Sequence, residues 1–291
     1  MFSNSTLPVG IYEKAFPTNL SWEERLDLAA KAGYDFVEMS IDESEARLAR
    51  LSWPGSERAA LRRAISNVGI PIYTMCLSGH RKYPLGSASA EAREKALDIL
   101  VRTIELASDV GAKIIQIMGY DVFYERSDDG TQARFLEGLR TGARWAGTAG
   151  VMLALENVDI EFVDSVEKTM RIMLAVNSPW FNLYPDMGNL VAAGHDPVSQ
   201  LRLAKGHIVG VHVKDAIPGE IRGVPFEQGK VPFNDVFQVL AEIGFWGPLA
   251  VEMWAHLDTT GDPLKSAITA RKLVDRLVSA TWVAHKKDKE L

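Results

Sequence analysis

Short apolar runs alternate with longer stretches of helical character from one end of this chain to the other. The runs are LPVGIYE, DFVEMSI, IPIYTMCL, KIIQIMGY, VMLALENV, WFNLYPDM, HIVGVHVK and GPLAVEMW. Each is mostly apolar, as parallel strands covered on both faces must be. Between them lie helical segments such as WEERLDLAAKAG, SERAALRRAISNVG and AEAREKALDILVRTIELASDVG. These three end in glycine just before the next apolar run, a helix stop that leads directly into a strand start. A last helix is predicted over roughly PLKSAITARKLVDRLVSATW.

Eight strands strictly alternating with eight helices in a 291-residue chain predict an α/β fold, a closed (β/α)8 TIM barrel. The alternative is an open doubly wound sheet. That fold usually carries a glycine-rich phosphate loop after its first strand, where this chain has GIYEKAF. Neither a low-complexity linker nor a shift in composition divides the chain. One domain over residues 1–291 is expected, with a polar tail from about residue 284.

Composition removes several function classes. The chain is 47% hydrophobic, with a formal net charge of −6 and no basic block beyond the terminal HKKDK. A nucleic-acid backbone needs a basic face, so that partner is not expected. The lone cysteine, Cys76, allows no intrachain disulfide. Within PIYTMCL it reads as a buried small apolar residue rather than a nucleophile. The start, MFSNSTLPVG, lacks the charged residues and apolar stretch of a signal peptide. No run approaches the roughly 20 apolar residues that span a bilayer. The terminal DKEL, with no secretory signal, reads as a solvated tail. A soluble cytoplasmic protein without a membrane partner is expected.

Candidate chemistry lies in the second half. Glu156 in LALEN, Asp186 in YPDMGN, His212 in VHVKD and Glu252 in AVEMW fall at the ends of four successive apolar runs. They are spaced by about one strand, helix and loop each. In a barrel the C-terminal strand ends converge on one mouth, so the four become neighbours through closure. A buried carboxylate costs several kcal/mol unless it is paired or bound to a metal. Asp186 alone fits a turn and His212 alone fits a core histidine. Glu156 and Glu252 place an acid directly inside an apolar strand. Three carboxylates and one imidazole suit one divalent ion, Mn²⁺, Co²⁺, Zn²⁺ or Mg²⁺. About three negative charges against the ion's two leave room for a neutral polar substrate to chelate through adjacent carbonyl and hydroxyl oxygens.

The set Glu156, Asp186, His212 and Glu252 resembles that of the xylose-isomerase-like barrels. GIYEKAFP, GYDFVEMSIDE, MCLSGHRKYPLGS, GYDVFY and NSPWFNLYPDMGNL narrow the resemblance to the L-ribulose-5-phosphate 3-epimerase group, also described as L-xylulose-5-phosphate 3-epimerases. The resemblance covers nearly the whole chain. It implies metal-dependent epimerisation at C3 of a ketopentose phosphate through a cis-enediolate. It also implies that Glu156 and Glu252 each bind the ion and move a proton, one on each face, with Asp186 and His212 as ligands only. A homodimer is implied as well.

Other residues fit the same mouth. Asn189, three residues beyond Asp186, is a candidate for a substrate hydroxyl, with a turn asparagine as the alternative. Lys214 alternates with His212 and shares its inward face, as a substrate contact or as the partner of a nearby acid. A phosphorylated substrate needs cationic donors on the rim. Lys14, His80, Arg81 and Arg222 are the candidates, although each singly also fits a solvated surface charge. An unphosphorylated ketose fits the metal centre just as well, and a free-ketose 3-epimerase, an aldose–ketose isomerase and an inosose dehydratase are the rival enzymes on the same scaffold. A barrel endonuclease, with its histidine-rich multi-metal site, fits poorly with six histidines and an acidic pI. A non-catalytic sugar-binding barrel would not need two such acids.

Overall fold

A computed structural model describes residues 7–289 of the protein. Eight parallel strands form its centre: β1 (Val9–Tyr12), β2 (Phe36–Ile41), β3 (Ile72–Leu77), β4 (Ile114–Met118), β5 (Met152–Glu156), β6 (Phe181–Leu183), β7 (Val211–Val213) and β8 (Leu249–Val251). β1 pairs with both β2 and β8, and the ladder runs in chain order as far as β6. The remaining seam, between β6 and β7, is narrow. There the Leu183 N–H donates to His207 O at 3.0 Å, the Val209 N–H to Leu183 O at 2.9 Å and the His212 N–H to Pro185 O at 3.0 Å. These bonds close the sheet, so the barrel expected from the alternation is the observed fold and the open sheet is not.

The helices are α1 (Trp22–Lys31), α2 (Glu45–Leu48), α3 (Gly55–Val68), α4 (Ala90–Val110), α5 (Asp129–Ala149), α6 (Val166–Val176), α7 (Met187–Ala192), α8 (Pro197–Leu203), α9 (Phe233–Glu242) and α10 (Pro263–Lys289). Eight are the expected outer helices. α2 and α7 are short additions in the loops that leave β2 and β6, and both bear on the site. α3 and α4 end on Gly69 (φ 81°) and Gly111 (φ 86°), left-handed caps that only glycine adopts without strain. α10 continues through Lys289, so the stretch expected to form a polar tail from about 284 is helical backbone up to that point. The end of DKEL lies outside the described residues. No helix among the described residues is long and apolar enough to cross a membrane.

Side chains alternate in and out along each strand, and the inward set changes character with height. Low in the barrel Phe36, Ile114, Ala154, Tyr184 and Ala250 form an apolar plug. Gly10 and Gly210 leave room for it, because a Cβ on either would fall 2.2 Å from the Phe36 or Tyr184 ring. Two residues further along the same strands, the inward positions turn polar: Glu38 after Phe36, Gln116 after Ile114, Glu156 after Ala154 and Glu252 after Ala250. The plug thus provides an apolar floor under a buried polar layer.

Candidate metal centre and its cavity

Glu156 is the last residue of β5, His212 the middle of β7, and Glu252 directly follows β8. Asp186 lies beyond β6, where it caps α7. The expectation of four strand ends therefore holds for the glutamates only. All four residues are buried, and one ligand atom from each lies within 4.8 Å of all the others.

Asp186 serves two structures at once. Its Oδ1 accepts the backbone N–H groups of Gly188 (2.7 Å) and Asn189 (2.9 Å), a helix cap. Its own N–H donates to Asn157 Oδ1 at 2.9 Å, and Asn157 Nδ2 returns a bond to Asp186 O at 3.1 Å. Its backbone also bridges that of His212 across the barrel seam. The cap occupies one oxygen and leaves Oδ2 for the cage.

His212 Nδ1 lies 2.8 Å from Glu156 Oε1 and 3.8 Å from Asp186 Oδ2. Gln116 Nε2 donates to the other Glu156 oxygen. Lys214 Nζ sits 2.8 Å from Asp186 Oδ2 and 2.8 Å from Glu252 Oε2, so it pairs with two acids of the cage. These neighbours divide the carboxylates. Burial pushes the Glu156 carboxyl up to about 8, because Asp186 and Glu252 reinforce it and His212 only partly offsets it. Burial also raises Asp186, against the pull of Lys214. For Glu252 burial acts the same way, but Lys214 and His212 outweigh it and hold the group near about 2. His212 is desolvated, yet the carboxylates of Glu38 and Glu156 carry its affinity for a proton well above the usual range.

The donor set fits a divalent ion. Oxygen and nitrogen ligands at about 2.0–2.2 Å from one ion lie at most about 4.4 Å apart, so a 4.8 Å cluster needs only small adjustments. Cys76 offers no soft alternative, since it is buried and its thiol is pushed up by desolvation.

Above the cage opens a cavity of about 610 Å³, lined in part by Tyr12, Lys14, Arg47, Arg81, Arg222 and Trp254, with Glu252 in its wall. A smaller cavity of about 270 Å³ adjoins it at Arg222 and Trp254. Three of the four expected rim cations are here. Lys14 pairs with Asp42 at 2.6 Å. The Arg81 guanidinium lies over Tyr120 and Phe123, and that of Arg222 over Trp254. His80 is not among them. It is buried, its Nε2 faces Ala96 O at 3.1 Å, and desolvation lowers it to about 4, which leaves no cation there for a phosphate. Asn189, on the first turn of α7, donates from Nδ2 to Asn157 O at 2.8 Å, and its Oδ1 has no hydrogen-bond partner among the described residues.

Three residues of this layer had not been singled out. Arg47 on α2 reaches the cavity, paired with Glu13 (2.9 Å) and Asp42 (3.3 Å). Nothing in its local sequence marks it, because its place depends on how α2 folds over β2. Gln116 and Glu38 are polar residues inside apolar strands, the same signal that marks Glu156 and Glu252.

A family model described as the xylose isomerase-like TIM barrel matches residues 26–276. The chain belongs to this family. An L-ribulose-5-phosphate 3-epimerase, UlaE, of Salmonella paratyphi B is 44% identical over 278 residues, spanning 95% of this chain and 97% of the relative. The enzyme of the same name from Salmonella enteritidis matches equally well. The resemblance to the L-ribulose-5-phosphate 3-epimerase group, drawn from GIYEKAFP and MCLSGHRKYPLGS, is thereby supported over nearly the whole chain. Among solved structures, an L-ribulose 3-epimerase superposes with a TM-score of 0.79 at 20% identity, covering 97% of both chains. A D-psicose 3-epimerase, solved in the presence of D-fructose, gives 0.79 at 18% identity, covering 94% of this chain and 99% of the other. At that identity the family's fold is what is shared.

Proposed function

We propose that this isomerase-class enzyme epimerises a ketopentose phosphate at C3, interconverting L-ribulose 5-phosphate and L-xylulose 5-phosphate. The observation that carries this reading is the pair Glu156 and Glu252. They reach one four-residue cage from different strands, beneath a cavity rimmed by cations. A divalent ion held by Glu156, Asp186, His212 and Glu252 would supply Lewis-acid polarisation of the ketose C2 carbonyl, which acidifies the C3 proton.

The chain's own residues do the rest. Inverting a centre through a planar enediolate needs a proton acceptor on one face and a donor on the other. Glu156 and Glu252 fill these roles, each receiving or returning the C3 proton at a carboxylate oxygen. The Lys214 ammonium beside Glu252 stabilises negative charge that develops on the substrate. The apolar floor and the burial of the cage keep bulk water from the proton. At the rim, Lys14, Arg81 and Arg222, joined by Arg47, hold the substrate phosphate. Arg81 and Arg222 lie on aromatic rings and form no ion pair with a carboxylate among the described residues, and the one side-chain bond of Arg81, from Nη2 to the Tyr120 hydroxyl, is long at 3.4 Å. The name of the 44% relatives specifies a phosphorylated pentulose, and this rim supplies the chemistry for one. Cytoplasmic location and a homodimer belong to the same reading.

The test follows metal-loaded protein in D₂O by NMR with L-ribulose 5-phosphate and with free L-ribulose. Deuterium entry at C3 and product formation from the phosphate are expected. Turnover of the free sugar alone would overturn the phosphate assignment and favour a free-ketose epimerase. Absence of exchange with every pentulose phosphate would overturn the two-glutamate mechanism and leave a sugar-binding barrel.

A further inference from the structure

His212 is held on both sides of its ring, and the side away from the cage is occupied by a residue with no other task. His212 Nε2 lies 2.6 Å from Glu38 Oε1 on β2. Glu38 is completely buried inside the barrel. Its second oxygen accepts Thr74 Oγ1–H at 2.7 Å and Tyr184 O–H at 3.2 Å. Tyr184 also meets the imidazole edge to face, with ring centroids 5.0 Å apart. No lysine or arginine pairs with Glu38 among the ion pairs of the described residues; its one such partner is the imidazole. Isolating a carboxylate in this way is costly unless the group it faces requires it.

We propose that Glu38 is the positioning residue for His212. It keeps the proton on Nε2 and aims the Nδ1 lone pair at the cage. Thr74 and Tyr184 hold Glu38 itself in place. An imidazole whose far nitrogen is bonded to a carboxylate has one tautomer and one orientation, and its ligating nitrogen is more basic. The arrangement joins β2, β3 and β7 with Tyr184, the residue after β6, so it ties a ligand on one side of the barrel to a fixed point on the other. This role rests on the metal reading of the cage.

The experiment measures Mn²⁺ affinity of the full chain by calorimetry, for the wild type, Glu38→Gln and Thr74→Val, alongside thermal unfolding in EDTA. With Co²⁺ in the cage, the wild type should also show one strongly shifted, slowly exchanging imidazole N–H resonance. Glu38→Gln should lose about 10–100-fold in Mn²⁺ affinity, the range for second-layer partners of metal ligands, and its shifted N–H should broaden or vanish in D₂O. Thr74→Val leaves His212 and Glu38 intact and should weaken Mn²⁺ in the same direction by a smaller factor. It serves if Glu38→Gln does not fold. Wild-type affinity and an unchanged N–H signal in both variants, or in Thr74→Val alone if only that variant folds, would overturn the proposal even if unfolding in EDTA shifts. A wild type that takes up no Mn²⁺ would instead overturn the cage and this role together, so the two failures are distinguishable.

Discussion

A Cβ placed on Gly188 would fall 2.5 Å from Cγ of Lys214 and 3.1 Å from its carbonyl oxygen. The first turn of α7 and the aliphatic stem of Lys214 therefore occupy neighbouring space that only glycine leaves open. This contact directs the lysine toward Asp186 and Glu252. Gly188→Ala should force either the helix or the stem to move. Overpacking of this kind costs about 1–3 kcal/mol. The melting temperature should fall by several degrees, and activity should fall further than stability does, because Asp186 caps the same turn. Unchanged turnover would show that Lys214 needs no such guidance.

Lys214 places a positive charge between two buried carboxylates, so removing it takes away the cation that bridges them. Breaking a buried pair of this kind costs about 3–5 kcal/mol. Lys214→Met should therefore destabilise the protein strongly in EDTA. A divalent ion at the cage should offset much of that loss, since a ligand at 100 times its Kd adds about 2.7 kcal/mol. The difference in melting temperature between EDTA and excess Mn²⁺ should be wider in this variant than in the wild type. Equal differences would place the lysine outside the charge balance of the cage.

Glu156→Gln and Glu252→Gln keep the shape of each side chain and remove its capacity to take a proton. Both should abolish net epimerisation. Each variant should still allow C3 exchange from one epimer, a different one in the two cases, because the base on the other face remains. NMR of each epimer in D₂O separates these cases. Full epimerisation by either variant would remove that glutamate from the mechanism.

His80 gives a pH dependence unrelated to catalysis. Its folded-state value is lowered from 6.5 to about 4 by burial. Between those two values the unfolded chain binds a proton there that the folded chain does not, so stability falls as pH drops through that window. The loss amounts to roughly 3 kcal/mol by the lower end. Urea midpoints measured from pH 7 to pH 4 should decline more steeply in the wild type than in His80→Gln. Parallel curves would show that the imidazole is not held neutral.

The alternation of the chain and the pattern of acids inside apolar strands made the barrel and the two glutamates legible before any coordinates. FVEMSI carries the same signal as LALEN and AVEMW, so Glu38 was open to the same inference. It was missed because its partner His212 lies 174 positions away. His80 shows the converse. In sequence it follows a strand and precedes Arg81, as a rim cation would, yet the packing of α4 over the β3 loop buries it against Ala96 O.

The sequence by itself determined which residues point inward and at what height, because side-chain alternation along a strand is a local property of the backbone. It also determined the kind of donors available: oxygens, an imidazole and no free thiolate. The tertiary structure decided which of these meet. Asp186 and His212 become neighbours only through the backbone bridge that closes the β6–β7 seam. Lys214 reaches two carboxylates because Gly188, the second residue of α7, leaves room for its stem. Such contacts join residues far apart in the chain, and closure of the barrel, which no local pattern encodes, brings them together.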